Sequence, residues 1–292
     1  MIVTYFFLNL RFKYMVEFTD NHMHLDPFNG LGIEIVKKFE RVGGRRIFLV
    51  NKTTKDAKIE LKDEKSFEKL YDFTIRLAKK VNEETKVKAH AVIGLHPVEV
   101  VKLCKMYPNE KVLEVCKKAI DIAVKKIEEG QAIAIGEVGR PHFEVDQGII
   151  KTCNQLLEYI FEKASEIDCA VQLHTERINE DKLKELASLA LDHSLKPKRV
   201  IKHFSPPLIK ECEKLGIFPS IISSKDNIIK AVARGKRFLM ESDYIDDLKR
   251  PGAVVSPTNI PRVCRYLLEK ELITEEELYK IHADYIKEAY GM

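Results

Sequence analysis

Tryptophan is absent from the 292 residues, and neither sign of charge prevails. Lys+Arg number 49 and Asp+Glu 45, a net of +4. An excess that small, with both signs interspersed, gives no electrostatic argument for nucleic-acid binding from total charge. No apolar run approaches the ~20 residues of a membrane-spanning helix, and no membrane association is expected. Ile2 to Leu10 is mostly apolar, but no positive charge precedes it and no small-residue cleavage site follows, so a signal peptide is not expected. Six cysteines (Cys104, Cys116, Cys153, Cys169, Cys212, Cys264) stand far apart, none in a C-x-x-C. That excludes a zinc knuckle and a thioredoxin-like motif, and suits reduced thiols in a cytoplasmic protein. Pro/Gly-rich linkers, low-complexity stretches and internal repeats are missing as well.

What is present is regular alternation. Short apolar, β-branched runs occur at Phe18 to Asn21, Arg46 to Val50, Val87 to Ile93, Ala132 to Ile135, Ala170 to Leu173, Val200 to Lys202, Ile217 to Ile221 and Phe238 to Met240. They read as parallel strands buried on both faces. Amphipathic helical patterns lie between them, such as Phe67, Leu70, Tyr71, Thr74, Leu77, Ala78 and Val81 at spacings of three and four. Eight β-α units in succession predict a single (β/α)₈ barrel over residues 15–292, a length ordinary for that fold. Met15 precedes a natural strand start, so residues 1–14 read as an N-terminal extension or the product of an upstream start codon. Three strand-to-helix connections are long and polar: Asn51 to Lys65, Arg140 to Gln147 and Ser242 to Ser256. In a barrel all three emerge at the catalytic face. Pro257 to Ala289 reads as closing helices.

The chemistry is concentrated at the strand ends. His22 and His24 end the first strand, His96 follows the third, Glu137 ends the fourth, His174 the fifth, His203 the sixth and Asp243 the eighth. Strand ends of a barrel meet around one axis, so residues more than two hundred positions apart are expected to converge. His22 and His24, two apart on a strand, face the same way. Imidazole and carboxylate together suit one or two divalent ions, with Zn, Mn, Ni and Mg all open. Glu137 can give one oxygen to each of two ions, and Asp243 can both bind metal and take a proton from water.

The series His22-x-His24-Leu25-Asp26, Gly94-Leu95-His96-Pro97, Ile135-Gly136-Glu137-Val138-Gly139, Leu173-His174, His203-Phe204-Ser205 and Glu241-Ser242-Asp243 resembles the TatD family of metal-dependent hydrolases, within the amidohydrolase superfamily. The resemblance covers roughly Phe18 to Asp243. It implies a TIM barrel in which His22, His24 and Asp243 hold the more buried metal. By the same resemblance Glu137 bridges the metals, His174 and His203 hold the second, and His96 contacts substrate. Many family members are deoxyribonucleases, so the resemblance implies a metal-activated water attacking a phosphodiester, with DNA as the partner. No protein partner is implied.

The sequence departs from the usual pattern in the loops. Arg140-Pro141-His142 follows where Leu-Asp is common. Glu176 and Arg177 stand after His174 where one Arg is usual, and Phe204-Ser205-Pro206-Pro207 and Tyr244-Ile245-Asp246-Asp247 are also changed. Hydrolysis of a small amide, lactone or ester by the same metal site is therefore an alternative, and a non-catalytic metal-binding barrel is a third. Arg140 and Arg177 are candidate phosphate contacts. His142 is a candidate pocket acid or additional ligand. Asp20 is expected to orient a ligand histidine, Asp26-Pro27 to form a turn, His90 to be packed in the core, and His282 to lie on the surface.

Overall fold

The computed structural model describes residues 16–250 and 254–292; the extension expected over residues 1–14 lies outside the described residues. Eight parallel strands form one sheet in sequential order: β1 (Phe18–Met23), β2 (Gly44–Val50), β3 (Lys88–Ile93), β4 (Ala134–Gly139), β5 (Ala170–His174), β6 (Val200–Lys202), β7 (Phe218–Ile222) and β8 (Leu239–Glu241). The ring closes where the Asp243 N–H donates to the His22 carbonyl (2.9 Å) and the His24 N–H to the Tyr244 carbonyl (2.8 Å). This is the (β/α)₈ barrel that the alternation of strands and helices predicts.

Helices wrap the outside: α1 (Ile33–Arg41), α2 (Glu64–Glu84), α3 (Pro97–Cys104), α4 (Asn109–Glu128), α5 (Gln147–Glu166), α6 (Glu180–Asp192), α7 (Ile209–Leu215) and α8 (Lys225–Arg234). Local chemistry sets their starts. Asp63 and Ser66 form a reciprocal capping box on α2, and the Asp146 carboxylate receives the Gly148 N–H at the start of α5. The apolar face of α2 buries Phe67, Leu70, Tyr71, Thr74, Ala78 and Val81, as the spacing predicts, whereas Leu77 stays partly exposed. No helix among the described residues is long and apolar enough to cross a membrane.

Two apolar layers result. One lies between sheet and helices. The other fills the barrel with Phe48, Val50, Val92, Ala134, Ala170, Ile201, Phe218 and Leu239, drawn from seven strands. The chain then closes through α9 (Asn259–Glu269), α10 (Glu275–Tyr279), a π-helical turn (Lys280–Asp284) and α11 (Tyr285–Tyr290). Ile286, Ala289 and Tyr290 pack into the interior layer, with the Tyr290 ring stacked on Phe48 at 3.9 Å. The bottom of the barrel is thereby plugged, and the polar residues of the interior collect at the other end.

Two expectations for histidines are revised. His282 is buried, not on the surface: the π-helical turn directs it inward, where its Nδ1 accepts the Thr19 N–H (3.1 Å) and its Nε2 faces Cys264 Sγ (3.3 Å). His90 is half-buried, stacked on Phe48 at 5.4 Å.

Candidate metal centre

Strand irregularity aims the key side chains. The β1–β2 register shifts between Asp20 and Met23, and the β4–β5 register shifts between Gly136 and Val138. By simple alternation from Ala134, residues 136 and 138 would face the barrel and Glu137 would not. The extra residue re-aims Glu137 toward the axis, as β-bulges commonly do beside functional sites. On β5 and β8 plain alternation suffices: Ala170, Gln172 and His174 fall on one face, as do Leu239 and Glu241, while Asp243 follows β8 at φ +50.

His22, His24, Glu137, His174, His203 and Asp243 all meet at the C-terminal end of the barrel. Nε2 of His22 lies 3.2 Å from Nε2 of His24, and each is 3.8 Å from Asp243 Oδ1. The two oxygens of Glu137 divide their neighbours. Oε1 lies 4.0 Å from His22 Nε2 and 3.7 Å from His24 Nε2. Oε2 lies 2.9 Å from His174 Nδ1, 3.6 Å from His203 Nε2 and 3.9 Å from His96 Nε2. One carboxylate thus spans two donor groups.

Hydrogen bonds show what these donors need. His24 Nδ1 lies 3.0 Å from the Val50 carbonyl, which can only accept, so Nδ1 carries the proton and Nε2 a lone pair. His22 Nδ1 lies 2.7 Å from Gln172 Oε1, and the Gln172 amide is oriented by donating to the Asn21 carbonyl (2.9 Å). Its Nε2 therefore also presents a lone pair. Two lone pairs 3.2 Å apart, with carboxylate oxygens on both sides, repel one another unless a cation lies among them. Donors about 2.1 Å from one ion stand about 3.0 to 4.2 Å apart, which covers the spacings of the His22, His24 and Asp243 group. The residues present fit a divalent metal.

Electrostatics agree. Burial drives the imidazoles of His22 and His203 well below their ordinary value and lowers His24, so all three stay neutral and need lose no proton to bind metal. Burial opposes ionisation of Glu137, but the ring N–H groups of His96 and His174 that face it outweigh burial and hold the carboxyl well below its usual range. Asp243 moves the other way: burial, then the charges of Glu241, Glu137 and Asp20, push it well above. Glu137 is thus ionised as it stands, whereas the charged form of Asp243 calls for a cation beside it.

The remaining candidates separate. His96 caps α3: its Nδ1 accepts the Val98 N–H (3.0 Å), so its Nε2 carries the proton and faces Glu137. That makes it a hydrogen-bond donor into the site. Arg140 is buried, its guanidinium turned to Glu176 (3.3 Å) and Glu185 (2.5 Å). Arg177 lines a cavity of about 760 Å³ that opens from His174, His203 and Asp243 and also has Lys202 and Lys230 on its wall. His142 lies on the same wall, its Nδ1 2.9 Å from His174 Nε2. Asp20 is not a partner of a ligand ring. Its carboxylate accepts from the Ser242 N–H (2.9 Å) and hydroxyl (2.5 Å) and the His22 N–H (3.3 Å), tying β1 to β8.

Three supporting residues escaped the sequence reading. Gln172 holds His22 and receives support from Tyr290, whose hydroxyl accepts from Gln172 Nε2 (2.5 Å) and donates to Asn21 Oδ1 (2.7 Å). Glu241 Oε1 lies 3.0 Å from His203 Nδ1, at an angle poor for a hydrogen bond, and accepts the Phe204 N–H at 2.7 Å. Asp246 accepts the N–H groups of Asp26 (2.7 Å), Leu31 (2.7 Å) and Gly32 (2.9 Å), joining the loop after β8 to the loop after β1. Asp26 does start a turn, accepting from Phe28 and Asn29, but it also pairs with Lys52 at 2.7 Å. Alternation could have revealed Gln172 and Glu241; nothing local marks Asp246.

A parallel barrel with imidazoles and carboxylates gathered at its C-terminal rim defines the class as a TIM barrel with a metal-binding centre. The profile of the TatD related DNase family matches residues 19–291, and the chain belongs to that family. It is 39% identical over 276 residues to an uncharacterized protein of Methanocaldococcus jannaschii, MJ1127, covering 94% of this chain and 95% of that one. Among solved structures it is similar to YJJV, a TatD homolog from Escherichia coli K12, with TM-score 0.65, 18% identity, and 96% and 100% of the two chains covered. It is also similar to a mutant of a phosphotriesterase-like lactonase from Deinococcus radiodurans, with TM-score 0.63, 12% identity, and 94% and 95% covered.

Proposed function

We propose that this protein is a metal-dependent phosphodiesterase acting on DNA. The observation that carries the reading is the set of convergent lone pairs at His22, His24, Glu137 and Asp243, opening onto a cavity with Arg177, Lys202 and Lys230 on its wall. The first feature calls for cations and the second for an anionic substrate. One or two divalent ions held by His22, His24 and Asp243, and by Glu137, His174 and His203, would supply Lewis acidity toward water and the phosphoryl oxygens.

The chain's own residues do the rest. Asp243, its charged form favoured by the cation it would help to hold, takes the proton of the attacking water. His96 Nε2–H donates to a substrate oxygen. Arg177 and Lys230 form no ion pair among the described residues and are free to meet phosphate. Lys202 is buried, which lowers it to about 8, so a phosphate beside it would favour the charged form. A second reading, hydrolysis of a small ester or lactone, is favoured by the altered loops and by a cavity whose volume suits a compact molecule.

Protein loaded in turn with Zn²⁺, Mn²⁺ and Mg²⁺ is tested on single- and double-stranded DNA and on a panel of lactones and esters. The reading expects chelator-sensitive phosphodiester cleavage that Asp243→Asn abolishes. Turnover of lactones or esters without any cleavage of DNA would replace it with the second reading.

A further inference from the structure

We propose that His142 is a positioning residue that holds His174 in its ligand orientation; this rests on the metal reading above. His22 and His24 each turn one ring nitrogen to the shared space and the other against a hydrogen-bonding oxygen: His22 on Gln172 (2.7 Å) and His24 on the Val50 carbonyl (3.0 Å), whereas His203 Nδ1 stands 3.0 Å from Glu241 without a hydrogen bond. Such outer partners fix the tautomer and the ring plane of a metal ligand.

His174 turns its Nδ1 to Glu137 Oε2 at 2.9 Å, so the outward nitrogen is Nε2. What stands there is not an oxygen but Nδ1 of His142, 2.9 Å away. Neutral imidazole offers one donor and one acceptor nitrogen, so His142 can meet either tautomer of His174. With the His174 proton on Nδ1, toward Glu137, His142 donates to Nε2. With Nδ1 free to bind metal, the His174 proton sits on Nε2 and His142 accepts it. A carbonyl could serve only the second state.

The loop is built to hold that ring in place. The Arg140 N–H donates to the His174 carbonyl at 2.8 Å, and the Arg140 side chain is anchored to Glu176 and Glu185. Pro141 restricts the next bond, and Phe143 packs edge-on against the His142 ring at 5.4 Å. The three residues that replace the usual Leu-Asp thus form one device: an anchor, a stiff link and an imidazole delivered to His174.

The test titrates Co²⁺ alone into metal-free protein, followed by calorimetry and by the visible absorption of bound cobalt. Variants are His142→Ala, His142→Asn and His174→Ala. His142 is exposed in its loop, so folding is expected to survive, as a thermal melt would verify. The proposal expects His142→Ala to weaken cobalt at the His174 position about 10- to 100-fold. His142→Asn, which keeps an acceptor near the Nδ1 position, restores most of that loss. The ion at His22, His24 and Asp243 should be unaffected. If His142→Ala binds cobalt as the parent does while His174→Ala does not, the proposal fails and the metal reading stands. If His142→Ala changes only the KM for substrate, His142 is a substrate contact and the proposal again fails. If the parent protein binds no cobalt at all, the metal reading itself falls.

Discussion

Replacing Gln172 with methionine tests the site through a residue that touches no metal and no substrate. The side chain is buried at the centre of the barrel, with Oε1 2.7 Å from His22 Nδ1 and Nε2 within reach of the Asn21 carbonyl (2.9 Å) and the Tyr290 hydroxyl (2.5 Å). Methionine is similar in length, so the cavity stays filled, but three polar partners lose their hydrogen bonds. At about 1 to 2 kcal/mol for each buried partner left unpaired, stability should fall by about 3 to 5 kcal/mol. Without Oε1 nothing holds the His22 proton on Nδ1, and the tautomer that protonates Nε2 removes the lone pair from the site. Losing an outer partner of this kind costs about 10- to 100-fold in metal affinity, or about 1.4 to 2.8 kcal/mol.

The assay is a competition titration against a fluorescent chelator, with urea denaturation in parallel to confirm a folded variant. The loss should fall on the ion held by His22, His24 and Asp243. Gln172→Glu supplies the contrast, because a carboxylate still accepts the His22 proton and strengthens the ligand; its metal affinity should equal or exceed that of the parent. A folded Gln172→Met protein with parental affinity for both ions would show that His22 needs no such partner, and the tautomer argument would be wrong.

Three further perturbations follow from the same geometry. His282 sits far from the centre, and burial lowers it to about 3, with Thr19 N–H bound to Nδ1 and Arg46 adding repulsion. Because its folded value lies below the ordinary 6.5, its stabilising effect is complete above that pH and is lost as pH falls toward 3. Stability should drop on the order of 3 kcal/mol from this group between pH 7 and pH 4; His282→Gln should flatten that part of the slope in melts across the range, and an unchanged slope would refute it. Asp246→Ala strands three backbone N–H groups and should cost about 3 to 5 kcal/mol in urea, with kcat/KM falling as the loop bearing Asp243 loosens from that after β1. Gly139→Ala places a Cβ 2.4 Å from the His174 carbonyl at φ +132, so binding of the ion near His174 should suffer before that near His22. Metal titration by position would reveal the opposite order.

The barrel and most of the centre were legible because strand ends in this fold are also site positions. His22 and His24 at an i, i+2 spacing, and His174, His203 and Asp243 each just past an apolar run, are placed by backbone geometry that the sequence itself encodes. Gln172 was equally legible, since Ala170-x-Gln172-x-His174 shares one face, but a glutamine carries no obvious chemistry to attract attention. Glu137 was found for its chemistry rather than its phase; strict alternation would have turned it away, and the register shift that corrects this has no local signature. Arg140 shows the other limit. A guanidinium three residues after a candidate metal ligand reads as a phosphate contact, yet Glu185, 45 positions away, takes it. A charge can be read from the sequence, whereas its partner depends on the packing of α6 against the loop.

Those displaced partners bear on substrate choice. Arg140 is neutralised by Glu176 and Glu185, and Glu176 also pairs with Lys182, so the positive charges nearest β4 and β5 are largely spent within the protein. The cations left facing the cavity, Arg177, Lys202 and Lys230, come from the loop after β5, from β6 and from α8. A phosphodiester reacting between His174, His203 and Asp243 would therefore find its neighbouring anionic groups met on the β5-to-β8 side of the barrel mouth. On that side Phe204, exposed and held at φ +49 by its N–H bond to Glu241, offers an aromatic face beside His203. A non-glycine residue in that conformation costs on the order of 1 kcal/mol, and the Glu241 bond helps offset it. Stacking a base on an aromatic ring is worth about 1 to 3 kcal/mol, whereas a small aliphatic lactone has no aromatic face to stack. Phe204→Ala should thus raise KM for an oligonucleotide roughly tenfold while leaving a small ester untouched, and an equal effect on both substrates would remove Phe204 from recognition.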